Sequence, residues 1–213
     1  MAFITTRCGE EKVSSDKNQE PHQEEVSIEK ETLFVTEPNN VVINWTSFKL
    51  SEKVSVGGTF DSISVDNLIE SNGTLEGSTI LEVVKGASLH IYTSSVNSKN
   101  PERDTKISDS FFGTMVNSQV IDGAIIALED DGTGILEITM NEMAKQVDVL
   151  WEVEDLRFKM TSSINIQNWS AQSSLDSLNN VCSELHRGSD GESVLWPDVD
   201  IEVFVDFNKK EVQ

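Results

Sequence analysis

The amino-acid sequence predicts an all-β fold, an antiparallel arrangement of about eight strands with two short helical insertions. Three observations support this prediction. Apolar and polar residues alternate along most of the chain after residue 30, turn sequences separate the alternating stretches, and a helical period occurs in only two places. Strands with one apolar face, in this number, either stack as two sheets or close into a barrel.

The alternation is clearest in the second half of the chain, over residues 124–128, 136–140, 145–153, 156–160 and 201–207. Between the first two of these strands, the Asp131-Gly132 pair predicts a hairpin turn, because this dipeptide tolerates the positive φ that a reversal needs. A second turn, over residues 141–144, joins the next two strands. Consecutive hairpins of this kind predict an antiparallel meander.

The first half of the chain predicts looser strands, over residues 32–35, 41–50, 59–68 and 88–94. The adjacent Gly57 and Gly58, just before Phe60, predict a bend or bulge where the sheet curls. His90 alternates with two apolar neighbours in the last of these strands and is therefore expected to face away from them.

Two segments follow a helical period instead. Asn100 as the N-cap, Pro101 at the first helical position and acidic residues in the first turn predict a short helix that ends at Gly113. A second helix is predicted from about Ser173 to Arg187, because four residues at helical spacing form one apolar face: Leu175, Leu178, Cys182 and Leu185. Cys182 is accordingly predicted to be a small buried side chain rather than a nucleophile.

Residues 1–28 and residues 29–213 are predicted to form two different parts of the chain. The first part is polar and poor in β-branched and aromatic residues, so it is expected to be a disordered tether to a single barrel. Two interpretations of its Cys8 stay open. In one, Cys8 is lipidated and anchors an exported bacterial protein, in the periplasm or at the outer membrane. In the other, the cysteine is incidental, since Arg7 stands where a lipoprotein signal needs a small residue.

Composition excludes several classes of function. The 213 residues include 37 acidic and 16 basic side chains, a formal net charge of −21, which excludes electrostatic capture of nucleic acid as the main activity. Membrane contact is expected only through the N-terminal anchor. The chain has only three histidines and two cysteines, and it has no nucleophile-elbow, phosphate-binding or dinucleotide-binding motif. We therefore expect no enzyme, no metal site and no cofactor. A monomer or a dimer is expected.

The candidate functional residues are therefore apolar. The side chains expected to point into the barrel, with two phenylalanines at the end of the first helix, are Trp45, Phe60, Leu89, Ile91, Phe111, Phe112, Ile126, Leu128, Val149, Trp151, Phe158, Met160 and Val205. Two alternatives stay open for them. They enclose a cavity that takes a hydrocarbon chain, with roughly 0.8 kcal/mol gained for each buried CH₂, or they fill the core of a structural or protein-interaction module.

Four segments in order resemble the YceI-like family: residues 43–60 with INWTSFK and VGGTF, residues 94–112 with SSVN, NPERD and FF, residues 136–149, and residues 185–199 with LH and WPDV. The resemblance covers residues 29–208. It implies a lipocalin-like antiparallel barrel that holds a polyisoprenoid or another long-chain lipid without catalysis, for transport, storage or stress protection. It also implies export to the periplasm or as a lipoprotein. The chain departs from the family pattern in the expanded helix at 173–187 and the loop at 189–192.

Overall fold

The computed structural model describes residues 31–66, 70–71, 74–85 and 87–212. The predicted tether and its Cys8 lie outside these residues. Within them, the chain forms fourteen β-strands and three α-helices. In chain order these are β1 (Glu31–Thr36), β2 (Val41–Lys49), β3 (Val54–Phe60), β4 (Ile63–Asp66), β5 (Glu70–Ser71), β6 (Thr74–Gly77), α1 (Ile80–Val84), β7 (Ser88–Tyr92), β8 (Val96–Asn97), α2 (Pro101–Ser110), β9 (Val120–Leu128), β10 (Thr133–Met140), β11 (Met143–Glu154), β12 (Arg157–Asn165), α3 (Gln172–Val181), β13 (Leu195–Asp206) and β14 (Asn208–Val212).

Ten strands form one antiparallel sheet that closes on itself. Their order is β4-β7-β9-β10-β11-β12-β13-β2-β3-β8. The two ends of this order meet, because β3 and β4 are successive segments of one run of chain, as are β7 and β8, and β3 pairs with β8 while β4 pairs with β7. Two backbone hydrogen bonds bridge the breaks, from Asp61 N to Ser95 O at 2.9 Å and from Tyr92 N to Ser62 O at 3.1 Å. With each interrupted pair counted as one strand, the sheet is an eight-stranded barrel, which confirms the predicted fold.

The strand predicted over residues 59–68 is divided between β3 and β4. The two glycines that precede it, Gly57 and Gly58, have a different role from the one expected. The pairing of β2 with β3 runs without a register shift through Gly57 and Gly58, so no bulge lies there. The chain bends later, at Asp61 and Ser62. Gly58 instead permits close packing, because a Cβ at this position would lie 2.5 Å from Asn97 O and 2.6 Å from the Trp45 ring.

A second, four-stranded sheet lies beside the barrel, in the order β14-β1-β6-β5. The strand predicted over residues 32–35 belongs to this sheet and not to the barrel. The Thr36 hydroxyl donates to Asp206 O at 2.6 Å and links the two sheets. The short helix α1 was not predicted, since its five residues are too few for a period to show; it begins after Thr79, whose side chain accepts a hydrogen bond from Glu82 N at 3.1 Å.

The two predicted helices are present and pack against each other. Asn100 caps α2 as expected, its side chain accepting a hydrogen bond from Arg103 N at 3.1 Å. Cys182 is buried, as predicted, but α3 ends before it. Leu185, which helical spacing placed on the same apolar face, is 61 % exposed because a 3₁₀ turn replaces the helix there. None of the helices in the described ranges is both long enough and apolar enough to cross a membrane.

Candidate functional site

The barrel encloses an apolar cavity of about 170 Å³ at the end covered by α2 and α3. Strands contribute most of its wall, since every second residue of β2, β7 and β13 points inward. The helices close it with Ile107 of α2 and with Leu175 and Leu178 of α3. Phe112 packs edge-on against Phe111, with ring centroids 5.0 Å apart, and tilts against Phe60 at 6.2 Å, so three aromatic rings form one side of the cavity.

Seven of the thirteen predicted residues line this cavity: Trp45, Phe60, Leu89, Ile91, Phe111, Phe112 and Met160. Phe158 and Val205 lie at the opposite end of the barrel, beside a second cavity of about 30 Å³. Leu128, Val149 and Trp151 also lie toward that end, where they fill the core. The Trp151 ring stacks on Phe158 with centroids 6.1 Å apart. The barrel is therefore hollow at one end and largely filled at the other. The predicted cavity corresponds to the first end, and the alternative of a filled core corresponds to the second.

The prediction that Ile126 faces inward is wrong. Ile135 lies opposite Ala127 and Leu136 lies opposite Ile125, which leaves Ile126 as the extra residue of a β-bulge. The bulge reverses the alternation of β9, so Ile126 is 50 % exposed on the outer surface.

Several lining residues were not among the predicted ones. Ile43 of β2, Ile138 of β10 and Ile201 of β13 follow the same alternation as the predicted residues and could have been included on that signal. Ile107 and the leucines of α3 could not, because their apolar spacing indicates a buried face without indicating that this face covers a barrel.

The polar groups near this end of the barrel surround His186. This buried histidine contacts the Asn179 side-chain oxygen through Nδ1 at 2.9 Å. Burial, together with the ammonium groups of Lys49 and Lys106, lowers the pKa of His186 to about 4, so the imidazole is neutral at pH 7. Lys49 continues the inward face of β2 beyond Ser47, and its Nζ donates to Leu185 O at 3.0 Å. Lys49 pairs with Leu195 of β13, which lines the cavity, so the backbone of Lys49 lies next to the cavity wall.

A second cluster of polar side chains, around His90, lies outside the barrel. His90 contacts Asp122 through Nδ1 at 2.6 Å and Asp66 through Nε2 at 2.9 Å, and thus joins β9, β7 and β4. It faces away from Leu89 and Ile91, as predicted. The hydrogen bond to Asp122 is the main cause that raises its pKa above the usual 6.5. In the part of the chain that the structure describes, no group of three or more His, Cys, Asp and Glu side chains is arranged to hold a metal ion.

Comparison with known proteins identifies the fold. No family model and no curated protein matches the sequence. Among solved structures, a polyisoprenoid binding domain from Saccharophagus degradans implicated in plant cell wall breakdown matches with a TM-score of 0.52 and 16 % identity, over 83 % of this chain and 98 % of that one. BcnA from Burkholderia cenocepacia matches with a TM-score of 0.50 and 11 % identity, over 80 % and 98 %.

The YCEI protein of Campylobacter jejuni matches less well, with a TM-score of 0.45 and 15 % identity over 74 % of this chain and 85 % of that one. The first two structures, with TM-scores of 0.52 and 0.50, show a shared fold at identities this low. Together with the closed eight-stranded sheet and its covering helices, they confirm the fold that the resemblance in the sequence implied: the chain has the YceI-like fold, a lipocalin-like antiparallel barrel.

Proposed function

We propose that this protein binds a long-chain lipid, a polyisoprenoid or a chain of similar shape, inside the barrel and catalyses no reaction on it. The observation that supports this proposal is the apolar cavity of about 170 Å³ under α2 and α3. Binding by burial of hydrocarbon needs no catalytic group, and it gains roughly 0.8 kcal/mol for each CH₂ removed from water. The shared fold adds weight, since one structure with this fold is a polyisoprenoid binding domain.

The size of the cavity bears on how a chain is held. An engineered apolar cavity of about 150 Å³ in another protein takes one benzene molecule. The present cavity of about 170 Å³ therefore accommodates a short stretch of chain as it stands. A long chain extends from it, either outward past the helices or deeper into the barrel.

The polar end of the ligand is proposed to lie at the rim beside Lys49. Among the described residues, neither Lys49 nor Lys106 forms an ion pair with a carboxylate, although the chain has 37 acidic residues. These two ammonium groups, whose charges act on His186, favour a chain with an anionic head over one with a cationic head.

Binding is tested by native mass spectrometry and solvent extraction of the purified protein, before and after addition of farnesol or geranylgeraniol. A cavity-filling variant, Ile91→Trp, is expected to lose the bound chain, because Ile91 lines the cavity. The matched control is Ile126→Trp, the same substitution on the outer surface, which is expected to bind like the wild type. Absence of any bound chain in the wild-type protein favours the alternative, a protein-interaction module.

Export and attachment through Cys8 stay part of the proposal. The resemblance in sequence supports them, and the test is the intact mass of the protein isolated from its own cells. An added diacylglyceryl and acyl mass that disappears in Cys8→Ser supports the anchor, and an unmodified mass in the soluble fraction contradicts it.

A further inference from the structure

Two cavities follow one another along the barrel, and the second lies at the end that α1 and the small sheet cover. The upper one, of about 170 Å³, is the candidate site, and the lower one, of about 30 Å³, lies among the side chains at the filled end. Five residues line both cavities and therefore form the partition between them: Leu89, Gly123, Leu136, Met160 and Val203. Gly123 has no side chain and Met160 has a flexible one, so these two residues differ from the other three.

Neither the backbone conformation of Gly123 nor the packing around it requires a glycine at this position. A Cβ added to it would meet only Leu89 Cβ, at an ordinary 3.9 Å. Its φ is not in the left-handed region, unlike that of Gly132. Gly134 on the neighbouring strand shows the contrast, since a Cβ there would lie 2.6 Å from Ala127 O. Glycine inside a strand weakens it and often marks the close approach of a ligand. The gap at Gly123 opens toward both cavities.

Met160 is the movable member of the partition. It is 2 % exposed and points inward from β12. An unbranched methionine side chain has three rotatable bonds and adapts to irregular space without movement of the backbone. Another rotamer of Met160 would free space beside Gly123, whereas β-branched Val203 has no comparable freedom.

We propose that Gly123 and Met160 form a passage through which the end of a bound hydrocarbon chain enters the lower cavity, and that they set the chain length the barrel accepts. This inference rests on the proposed function. It also specifies the ligand. The lower cavity is lined by apolar side chains such as Val83, Phe158 and Phe207, and the hydroxyl of Thr36 is already bonded to Asp206 O. The far end of the chain must therefore be hydrocarbon, without a terminal polar group.

The test uses straight-chain fatty acids of about 4 to about 14 carbons, whose affinities are measured by displacement of the fluorescent dye 1-aminoanthracene. For the wild-type protein, affinity is expected to rise by about fourfold for each buried CH₂ until the chain reaches the end of the lower cavity, and then to level off. In Gly123→Leu, the shortest acids are expected to bind as in the wild type, and the plateau to begin about one carbon earlier, because the lower cavity of about 30 Å³ holds about one CH₂. Met160→Leu, of similar volume but less flexible, is expected to shift the plateau in the same direction.

The matched control is Ala127→Leu, which places the same leucine side chain on the outer face of the same strand. The affinity of this variant is expected to level off at the same fatty-acid chain length as that of the wild type. Thermal unfolding verifies that each variant folds, and Gly123→Ala, which adds a single methyl, replaces Gly123→Leu if the larger side chain prevents folding.

The outcomes separate the two proposals. An unchanged plateau in both the Gly123 and Met160 variants overturns the passage and leaves lipid binding standing, and an equal loss of affinity at every chain length does the same. A wild-type protein that binds no acid of any length overturns the proposed function itself.

Discussion

The indole ring of Trp45 occupies the space that a side chain at Gly58 would need. The two residues are paired across β2 and β3, and a Cβ on Gly58 would lie 2.6 Å from the ring. The indole is also fixed by a hydrogen bond from its Nε1 to Thr59 O at 3.2 Å. Because Trp45 lines the cavity, the missing side chain of Gly58 determines the shape of the candidate site.

Gly58→Ala is therefore expected to move Trp45 and to lower both stability and affinity for an apolar ligand. Overpacking of this kind costs about 1–3 kcal/mol. Urea unfolding followed by tryptophan fluorescence measures the change. Gly123→Ala is the control, because the same methyl group meets only Leu89 Cβ at 3.9 Å there, and its free energy of unfolding is expected to stay close to that of the wild type. Equal effects of the two substitutions would contradict this account.

The contacts of His90 with Asp66 and Asp122 predict a loss of stability at alkaline pH. The pKa of His90 is raised above 6.5 in the folded protein, so its charged form stabilises the fold fully below pH 6.5, and this contribution is lost as pH rises through the raised pKa. A partly exposed pair contributes about 1 kcal/mol or less. Unfolding free energies from pH 6 to pH 9 are expected to decline more steeply for the wild type than for His90→Gln. Parallel profiles would show that the contacts contribute nothing.

The lowered pKa of His186 predicts a loss of stability at acid pH. Its pKa falls to about 4 in the folded protein, so the unfolded chain binds a proton first, and stability is lost as pH falls from about 6.5 toward 4. The loss is at most about 3 kcal/mol for a shift of this size. His186→Gln is expected to remove this acid-side decline and to leave the alkaline side unchanged. The His90→Gln variant is the control, since it is expected to change only the alkaline side.

Lys49 predicts a preference for anionic over neutral head groups. Its ammonium donates to Leu185 O and has no carboxylate partner among the described residues. A fatty acid is therefore expected to bind more tightly than the alcohol of the same length, and Lys49→Met to reduce this preference by up to about fivefold, the value of an exposed charge pair. Lys210→Met is the control, since Lys210 pairs with Glu76 on the small sheet. A preference that survives in Lys49→Met assigns the head group to another position.

The turns were predictable because the chemistry that produces them is local. Gly132 has φ +85°, as the hairpin predicted at Asp131-Gly132 requires. Asn141 and Glu142, in the second predicted turn, have φ values of 52° and 59°. The capping of α2 by Asn100 is local in the same sense, since donor and acceptor lie three residues apart.

Features that depend on distant pairing were not predictable. The segment Ala124-Ile125-Ile126-Ala127 is apolar at every position, so the sequence does not fix its phase, and only the pairing with β10 places Ile126 in the bulge. The assignment of β1 to the small sheet likewise depends on β14, at the other end of the chain. The role of Gly123 could not be predicted for a related reason, because the sequence does not show whether the space beside a glycine is filled or empty.

The meeting of β3 with β8 and of β4 with β7 has a consequence for self-association. A strand edge with unpaired amides and carbonyls is the usual template for aggregation, and these two pairings cover the end strands of the barrel sheet. Among the described strands the small sheet does not close, and its order ends at β5 and at β14. The edge at β14 reads NKKEV, whose consecutive charges oppose addition of another strand. A sheet that extended from one molecule to the next through β14 would therefore have to add a strand beside these charges.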